Sequence, residues 1–160
     1  MQNNIFQIYL AGGMQNLSFT KQNEWREKIR KSLISRCKKT CADTKPMNII
    51  NPVDYYNFKE KLFDTEKEVM RFDTNFVRNS DLVIVNANDP KSIGTSMEIA
   101  IAYEHHIPVL ILNKDIEPLH AWWIEMSDRV FRDSDSLCDY VTDFYLTMKH
   151  YNWEHNMMIK

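Results

Sequence analysis

Leu82-Val83-Ile84-Val85-Asn86, followed by Asn88-Asp89-Pro90-Lys91-Ser92-Ile93-Gly94-Thr95-Ser96-Met97-Glu98, is the stretch that decides the fold class. Its opening is a continuous run of branched aliphatic residues, the pattern of a strand buried on both faces. A polar loop follows, and then apolar residues at helical spacing, with Met97, Ile99, Ile101, Ala102 and Tyr103 expected to face mostly inward. The spacing predicts a third strand over 82–85 and a third helix over 95–106.

The same unit recurs in both directions along the chain. Upstream, Ile8-Tyr9-Leu10-Ala11-Gly12-Gly13-Met14 closes a buried first strand over 6–11. A first helix is expected over 20–35, with Trp25, Ile29, Leu33 and Ile34 as its apolar positions. A polar loop over 38–46 leads to a short second strand over 47–50. Residues 53–62 are aromatic and charged, an irregular flap or short helix. A second helix is expected over 65–79, striped by Val69, Met70, Phe72, Phe76 and Val77. Downstream, Val109-Leu110-Ile111-Leu112 makes a fourth strand. Residues 119–126 read as a helix, 129–132 as a fifth strand and 136–150 as a final amphipathic helix.

Strands alternating with helices imply a parallel sheet with helices on both faces. The expected fold is therefore a single-domain α/β flavodoxin-like or Rossmann-like three-layer sandwich. Its five-stranded parallel sheet takes the order 2-1-3-4-5, with a domain over 1–150 and a loose tail over 151–160. In that order the switch point lies between strands 1 and 3, and ligands bind beyond their carboxyl ends. The chain has three glycines, Gly12, Gly13 and Gly94, all beyond those two strands. Glycine serves where backbone must turn sharply or approach a ligand closely.

Composition narrows the function class. A chain of 160 residues with 44% hydrophobic content supports one full-sized core. A formal net charge of −2 argues against a broad nucleic-acid surface. It leaves room for a small phosphate-bearing ligand. Cys37, Cys41 and Cys138 make no zinc pattern, so reduced thiols and no metal are expected. No signal segment or membrane-length apolar run is evident, which fits a soluble cytoplasmic protein.

Four candidates gather at the switch point. Glu98 falls near the first turn of a helix starting at Thr95, where the helix dipole would keep a carboxylate ionised. It is either a nucleophile or base, or only a helix-start acid. Asp73 lies beside the apolar stripe of the second helix, an unfavourable mid-helix position for aspartate. Ser92 precedes a run of free backbone N–H groups suited to an anion, or simply caps the helix. Gly12-Gly13 lacks the third glycine of a dinucleotide fingerprint, and no Walker lysine follows Gly94. No cofactor is expected. His105-His106 make poor metal ligands. His120 and Trp122-Trp123 form an aromatic cluster that lines the crevice, an oligomer interface or the core.

Together these residues resemble the nucleoside 2-deoxyribosyltransferase family, including the related 2′-deoxynucleoside 5′-monophosphate N-glycosidases. The resemblance runs from Ile8 to about Val130. Residues 8–14 resemble the family's first substrate loop. Asp73, eight residues before Asp81, matches its active-site aspartate. Gly94-Thr95-Ser96-Met97-Glu98 matches the segment carrying its nucleophilic glutamate, and residues 118–128 the segment that crosses into a neighbouring subunit's site.

The resemblance implies that Glu98 attacks C1′ of a 2-deoxyribosyl group to form a covalent sugar–enzyme intermediate. Asp73 would handle the proton of the departing base, and Tyr9 would orient Glu98. A second free nucleobase accepting the sugar gives transfer; water gives hydrolysis. Gly12, Gly13, Met14, Asp54, Ser92, Gly94, His120 and Trp122 are the expected substrate-binding residues. Asp54 belongs to the aromatic stretch 54–58 that helps define the base pocket.

Departures from the family pattern bear on substrate. Six residues before the glutamate the transferases carry an acid for the sugar 5′-hydroxyl; Ser92 stands there, as in the monophosphate glycosidases. The arginine those glycosidases use in the first turn is replaced by Gln15 and Asn16. His120 stands where the transferases place asparagine, and Trp122 where they place methionine. A partner subunit's histidine at position 120 would supply the missing positive charge, making a homodimer the expected minimum. An NAD glycohydrolase and an inactive nucleotide-binding module remain the alternatives.

Overall fold

The computed structural model describes residues 5–15, 17–40, 43–55 and 63–147. Five parallel strands form one sheet: β1 (Phe6–Gly12), β2 (Met47–Ile50), β3 (Leu82–Asn86), β4 (Val109–Leu112) and β5 (Arg129–Phe131). Their order is β2-β1-β3-β4-β5, as the alternation predicted. The helices are α1 (Phe19–Lys39), α2 (Glu66–Arg78), α3 (Ile93–Glu104), α4 (Ala121–Glu125) and α5 (Ser134–Tyr140).

Successive strand residues point to opposite faces of the sheet, and two cores result. Ile8 and Leu10 of β1 pack with Ile29 and Leu33 of α1 and Leu137 of α5. Tyr9 and Ala11 pack on the other face with Val77 of α2, and with Ile99 and Ala102 of α3. Each fully buried Leu or Ile contributes about 1.5–3 kcal/mol. Trp123 joins the second core, which places α4 on the α2–α3 side. Among the described residues, no helix is long and apolar enough to cross a membrane.

Several boundaries differ from expectation. Helix α1 continues four residues past 35 because its polar end is anchored: Arg36 pairs with Asp139 at 2.6 Å and Asp135 at 3.1 Å on α5. The segment after β2 opens as a 3-10 turn, Pro52–Tyr55; residues 56–62 lie outside the described residues. The helix expected over 119–126 shortens to α4, capped by His120. The last helix begins at Ser134 under an Asp133 cap and widens into a π-helical stretch, Val141–Leu146. Thr147 then leaves it to bridge Thr44 in antiparallel fashion, so the helix does not run on unbroken to 150. The tail 151–160 lies outside the described residues.

The buried face of α1 differs most. Trp25 is only partly buried and Ile34 is exposed; the buried positions are Gln22, Arg26, Ile29 and Leu33. Arg26 is fully buried, and the sheet register explains why. Strand β2 ends at the pair Tyr9↔Ile50, whereas β1 pairs with β3 as far as Gly12↔Asn86. On its β2 side, the last turn of β1 therefore has no strand beside it. Arg26 takes that place. Its Nε donates to the Leu10 carbonyl at 3.1 Å, its Nη2 to the Gly12 carbonyl at 3.0 Å, and its Nη1 to the Gln22 carbonyl.

Removing those donors leaves buried carbonyls unsatisfied, at about 1–3 kcal/mol each. The Arg26→Met variant, which keeps length but not donors, is expected to lose about 2–4 kcal/mol in urea unfolding. A loss under about 0.5 kcal/mol would show that the carbonyls find other partners.

Candidate active site

Ser92 is the N-cap of α3. Its Oγ accepts from the Thr95 amide at 3.3 Å and from the Thr95 hydroxyl at 3.0 Å. The helix thus begins at Ile93, earlier than the spacing predicted. Glu98 becomes its sixth residue, beyond the first turn where the dipole acts. It lies on the buried face with Thr95, Ile99 and Ala102. Met97 and Tyr103, expected inward, are exposed.

Tyr9, fully buried in β1, donates its hydroxyl to Glu98 Oε1 at 2.7 Å. This bond crosses from the sheet to the helix and joins positions 89 residues apart. Helix α2 supplies the facing wall. Its start is set by a capping box: Thr65 Oγ1 accepts from the Glu68 amide at 3.3 Å, and Glu68 Oε2 accepts from the Thr65 amide at 3.1 Å. With that start, Asp73 falls opposite Glu98. Both line a cavity of about 190 Å3 with Val69, Met70, Met97 and Gly94.

The electrostatics overturn the expectation that Glu98 is held ionised. Burial pushes its carboxyl up to about 8. The Tyr9 hydrogen bond pulls the other way, the Asp73 charge adds to the rise, and the Arg26 charge opposes it. The structure thus sets two carboxyl groups against one cavity, and the buried one is the reluctant anion.

The glycines act through room rather than through unusual backbone, since none has positive φ. At Gly13 a Cβ would meet Asp89 Cβ at 2.7 Å. At Gly94 it would meet nothing within 4 Å, so bare backbone at the cavity edge leaves space for a ligand.

Other expected binding residues stand apart from this cavity in the single chain. Gly13 exchanges two 3.2 Å hydrogen bonds with the Asn88 side chain, and the Met14 carbonyl accepts from Gln22 Nε2 at 2.8 Å. Asp54 is exposed and pairs with Arg30. His120 Nδ1 accepts from the Trp122 amide at 3.2 Å, and Trp122 is 70% exposed. Trp123, not Trp122, is the core member of the pair. Its Nε1 donates to Ser96 Oγ at 3.0 Å and ties α4 to α3.

Three contributors carry no functional signature in the sequence: Arg26, Val69 and Met70. Arg26 looked like one of the charges between apolar positions of the first helix. Its signal was its spacing: residues 22, 26, 29 and 33 share one helix face, and Ile29 and Leu33 are apolar. Val69 and Met70 were read only as core-facing stripe. Met70 is 45% exposed, and both line the cavity.

Folded protein retains the Glu98 proton up to about pH 8, whereas an unfolded glutamate releases it near its ordinary value of 4.5. The contribution of Glu98 to stability is therefore greatest below that lower value. It declines as pH rises towards 8, by about 1.4 kcal/mol per pH unit. Glu98→Gln keeps a neutral acceptor for Tyr9 and removes this decline. The variant's stability advantage over wild type is expected to grow between pH 5 and pH 9 in urea titrations. An advantage that does not change with pH would mean that Glu98 titrates normally.

Comparison with known proteins places this geometry. The family model described as nucleoside 2-deoxyribosyltransferase matches residues 8–157. No curated protein matches the sequence. Among solved structures, a conserved protein from Enterococcus faecalis V583 superposes with a TM-score of 0.69 at 20% identity, covering 87% of this chain and 98% of that one. The 2-deoxyribosyltransferase of Bacillus psychrosaccharolyticus gives 0.64 at 17% identity, covering 84% and 91%. A CMP N-glycosidase of Clostridium botulinum gives 0.51 at 14%, covering 86% and 98%. At these identities the structures share the fold. The match over residues 8–157 goes further, and the chain belongs to the nucleoside 2-deoxyribosyltransferase family.

Proposed function

We propose that this protein cleaves or transfers the N-glycosidic bond of a 2′-deoxynucleoside or its 5′-monophosphate, with Glu98 as nucleophile. The observation that carries the reading is the 2.7 Å Tyr9–Glu98 bond at a cavity shared with Asp73. Two carboxyl groups in one cavity match the logic of retaining glycosidases. A Glu98 oxygen attacks C1′, and the C1′–N bond breaks with its electron pair passing to the base. Asp73 delivers or holds the proton that the base takes up. Water, or a second base, then attacks C1′, releases the sugar and restores the carboxylate. No cofactor takes part in this sequence.

Attack requires the ionised carboxylate, and burial favours the neutral form. Substrate binding therefore has to move the Glu98 proton out, and Asp73 and the leaving base are its nearby acceptors. Tyr9 steadies the anion that remains. In a pH–rate profile, log kcat/KM is expected to fall as pH rises above about 8, where the free enzyme no longer carries the proton that binding passes to Asp73 and the base.

Ser92 supports a 5′-phosphorylated substrate. Its oxygen accepts both hydrogen bonds from Thr95, which leaves its own O–H to donate. A serine donates to a phosphate, where an acid would repel it. The decisive experiment incubates the protein with each deoxynucleoside and each deoxynucleoside monophosphate, with and without a second free base, and follows the products by chromatography. Base release or exchange is expected, abolished in Glu98→Gln. Ser92→Asp is expected to shift preference from monophosphate to nucleoside by about tenfold or more. Full turnover in Glu98→Gln would sink the mechanism.

A homodimer with shared sites would give a role to large apolar side chains that α3 and α4 leave exposed. Trp122 is 70% exposed, Ile124 51%, Ile93 77% and Met97 43%. In a dimer these side chains are the proposed contacts. A dimer would carry the segment 118–128 to the partner's site. Sedimentation is expected to give a dimer, and Trp122→Glu to give an inactive monomer. A fully active Trp122→Glu monomer would exclude shared sites.

A further inference from the structure

A second chemistry-bearing feature, apart from the Glu98 cavity, lies on the opposite face of the sheet. A cavity of about 470 Å3 opens at the carboxyl ends of β3 and β4, bordered by α1 and the start of α5. Its apolar floor includes Ile29 and Leu112, members of the α1–α5 core, whereas Tyr9 and Val77 mark the other core. The two cavities share no lining residue. Its volume lies within the usual range for small-molecule sites, about 300–1,000 Å3.

Three ammonium groups face it: Lys21 and Lys28, two turns apart on α1, and Lys114 from the loop after β4. Among the described residues none has a carboxylate within ion-pair distance, although Lys28 lies near enough to Asp133 to favour that carboxylate's anion; the ion pairs there belong to Arg30 and Arg36. Trp25 lies between the two α1 lysines in sequence and is partly exposed. Asn86 ends β3, and Asn88 follows it. The Asn86 side-chain amide offers two N–H donors and a carbonyl oxygen that accepts. Two acids, Glu24 and Asp115, stand at the same cavity and would repel a ligand charged along its whole length. The pattern suits a ligand with one anionic end and one planar polar end.

We propose that this cavity is a second ligand site, for a phosphorylated ring compound of the nucleotide class, separate from the cavity at Glu98. The lysines take the phosphate, Trp25 contacts the ring and Asn86 meets its polar edge. The site also touches the first loop. A Cβ at Gly12 would meet Trp25 Cζ2 at 2.9 Å, and Asn88 holds Gly13 through both its amide atoms. An occupant here would press on the end of β1 beyond Tyr9.

The test is a titration of the full-length 15N-labelled protein with AMP, read at assigned side-chain resonances. Its readout does not depend on turnover, so it stands apart from the glycosidic reading. AMP is expected to shift the Trp25 indole and Asn86 amide signals. Lys21→Ala/Lys28→Ala/Lys114→Ala is expected to weaken that response about a hundredfold. Gly94→Phe, which fills the edge of the other cavity, is expected to leave it intact. Inorganic phosphate is expected to act on the lysines about tenfold more weakly than AMP, for want of a ring. No AMP shift at Trp25, an unchanged response in the triple variant, or equal affinity for phosphate alone would each overturn the proposal.

Discussion

The structure turns on a mismatch of strand lengths. Strand β1 runs on to Gly12 while its neighbour β2 stops at Ile50. A central strand cannot bury carbonyls without donors. The fully buried Arg26 guanidinium supplies them and replaces a missing strand with one side chain. One of the carbonyls it holds belongs to Leu10, the residue after Tyr9. Tyr9 in turn reaches Glu98 on the other face, and the Arg26 charge favours the Glu98 anion.

That far side works by opposition. Burial disfavours a Glu98 anion, and so does Asp73, while Tyr9 and Arg26 favour it. A group held between opposing influences is sensitive to small changes in its surroundings. Stability is the counterpart: the folded chain is expected to be least comfortable at the pH where the carboxylate is most available, the usual tension between a site and its scaffold.

Much of the fold was legible because strands buried on both faces read as unbroken aliphatic runs, as at 82–85 and 109–112. Three such runs separated by helical patterns leave few topologies. The pairing of Tyr9, Asp73 and Glu98 was legible through family resemblance, and the geometry brings Tyr9 onto Glu98 and both acids to one cavity. What failed was local. Glu98 read as a first-turn acid because Ser92 and Ile93 look like loop. Helical spacing puts Trp25 on the apolar face, where it packs only partly buried against the core, while Arg26 beside it is fully buried.

The sequence by itself determined the order of elements and the residue types available at the switch point. Periodicity and the position of glycines are properties of the chain alone. Only the tertiary structure decided which neighbours each polar group meets. It set where β2 stops, and hence that Arg26 is buried. It packed α2 against α3, and hence made Glu98 a reluctant anion. It opened the lysine-bordered cavity at the ends of β3 and β4. The physical reason is that charge states and hydrogen-bond demands depend on dielectric and distance. Both are settled by contacts between residues far apart in sequence, such as positions 9 and 98.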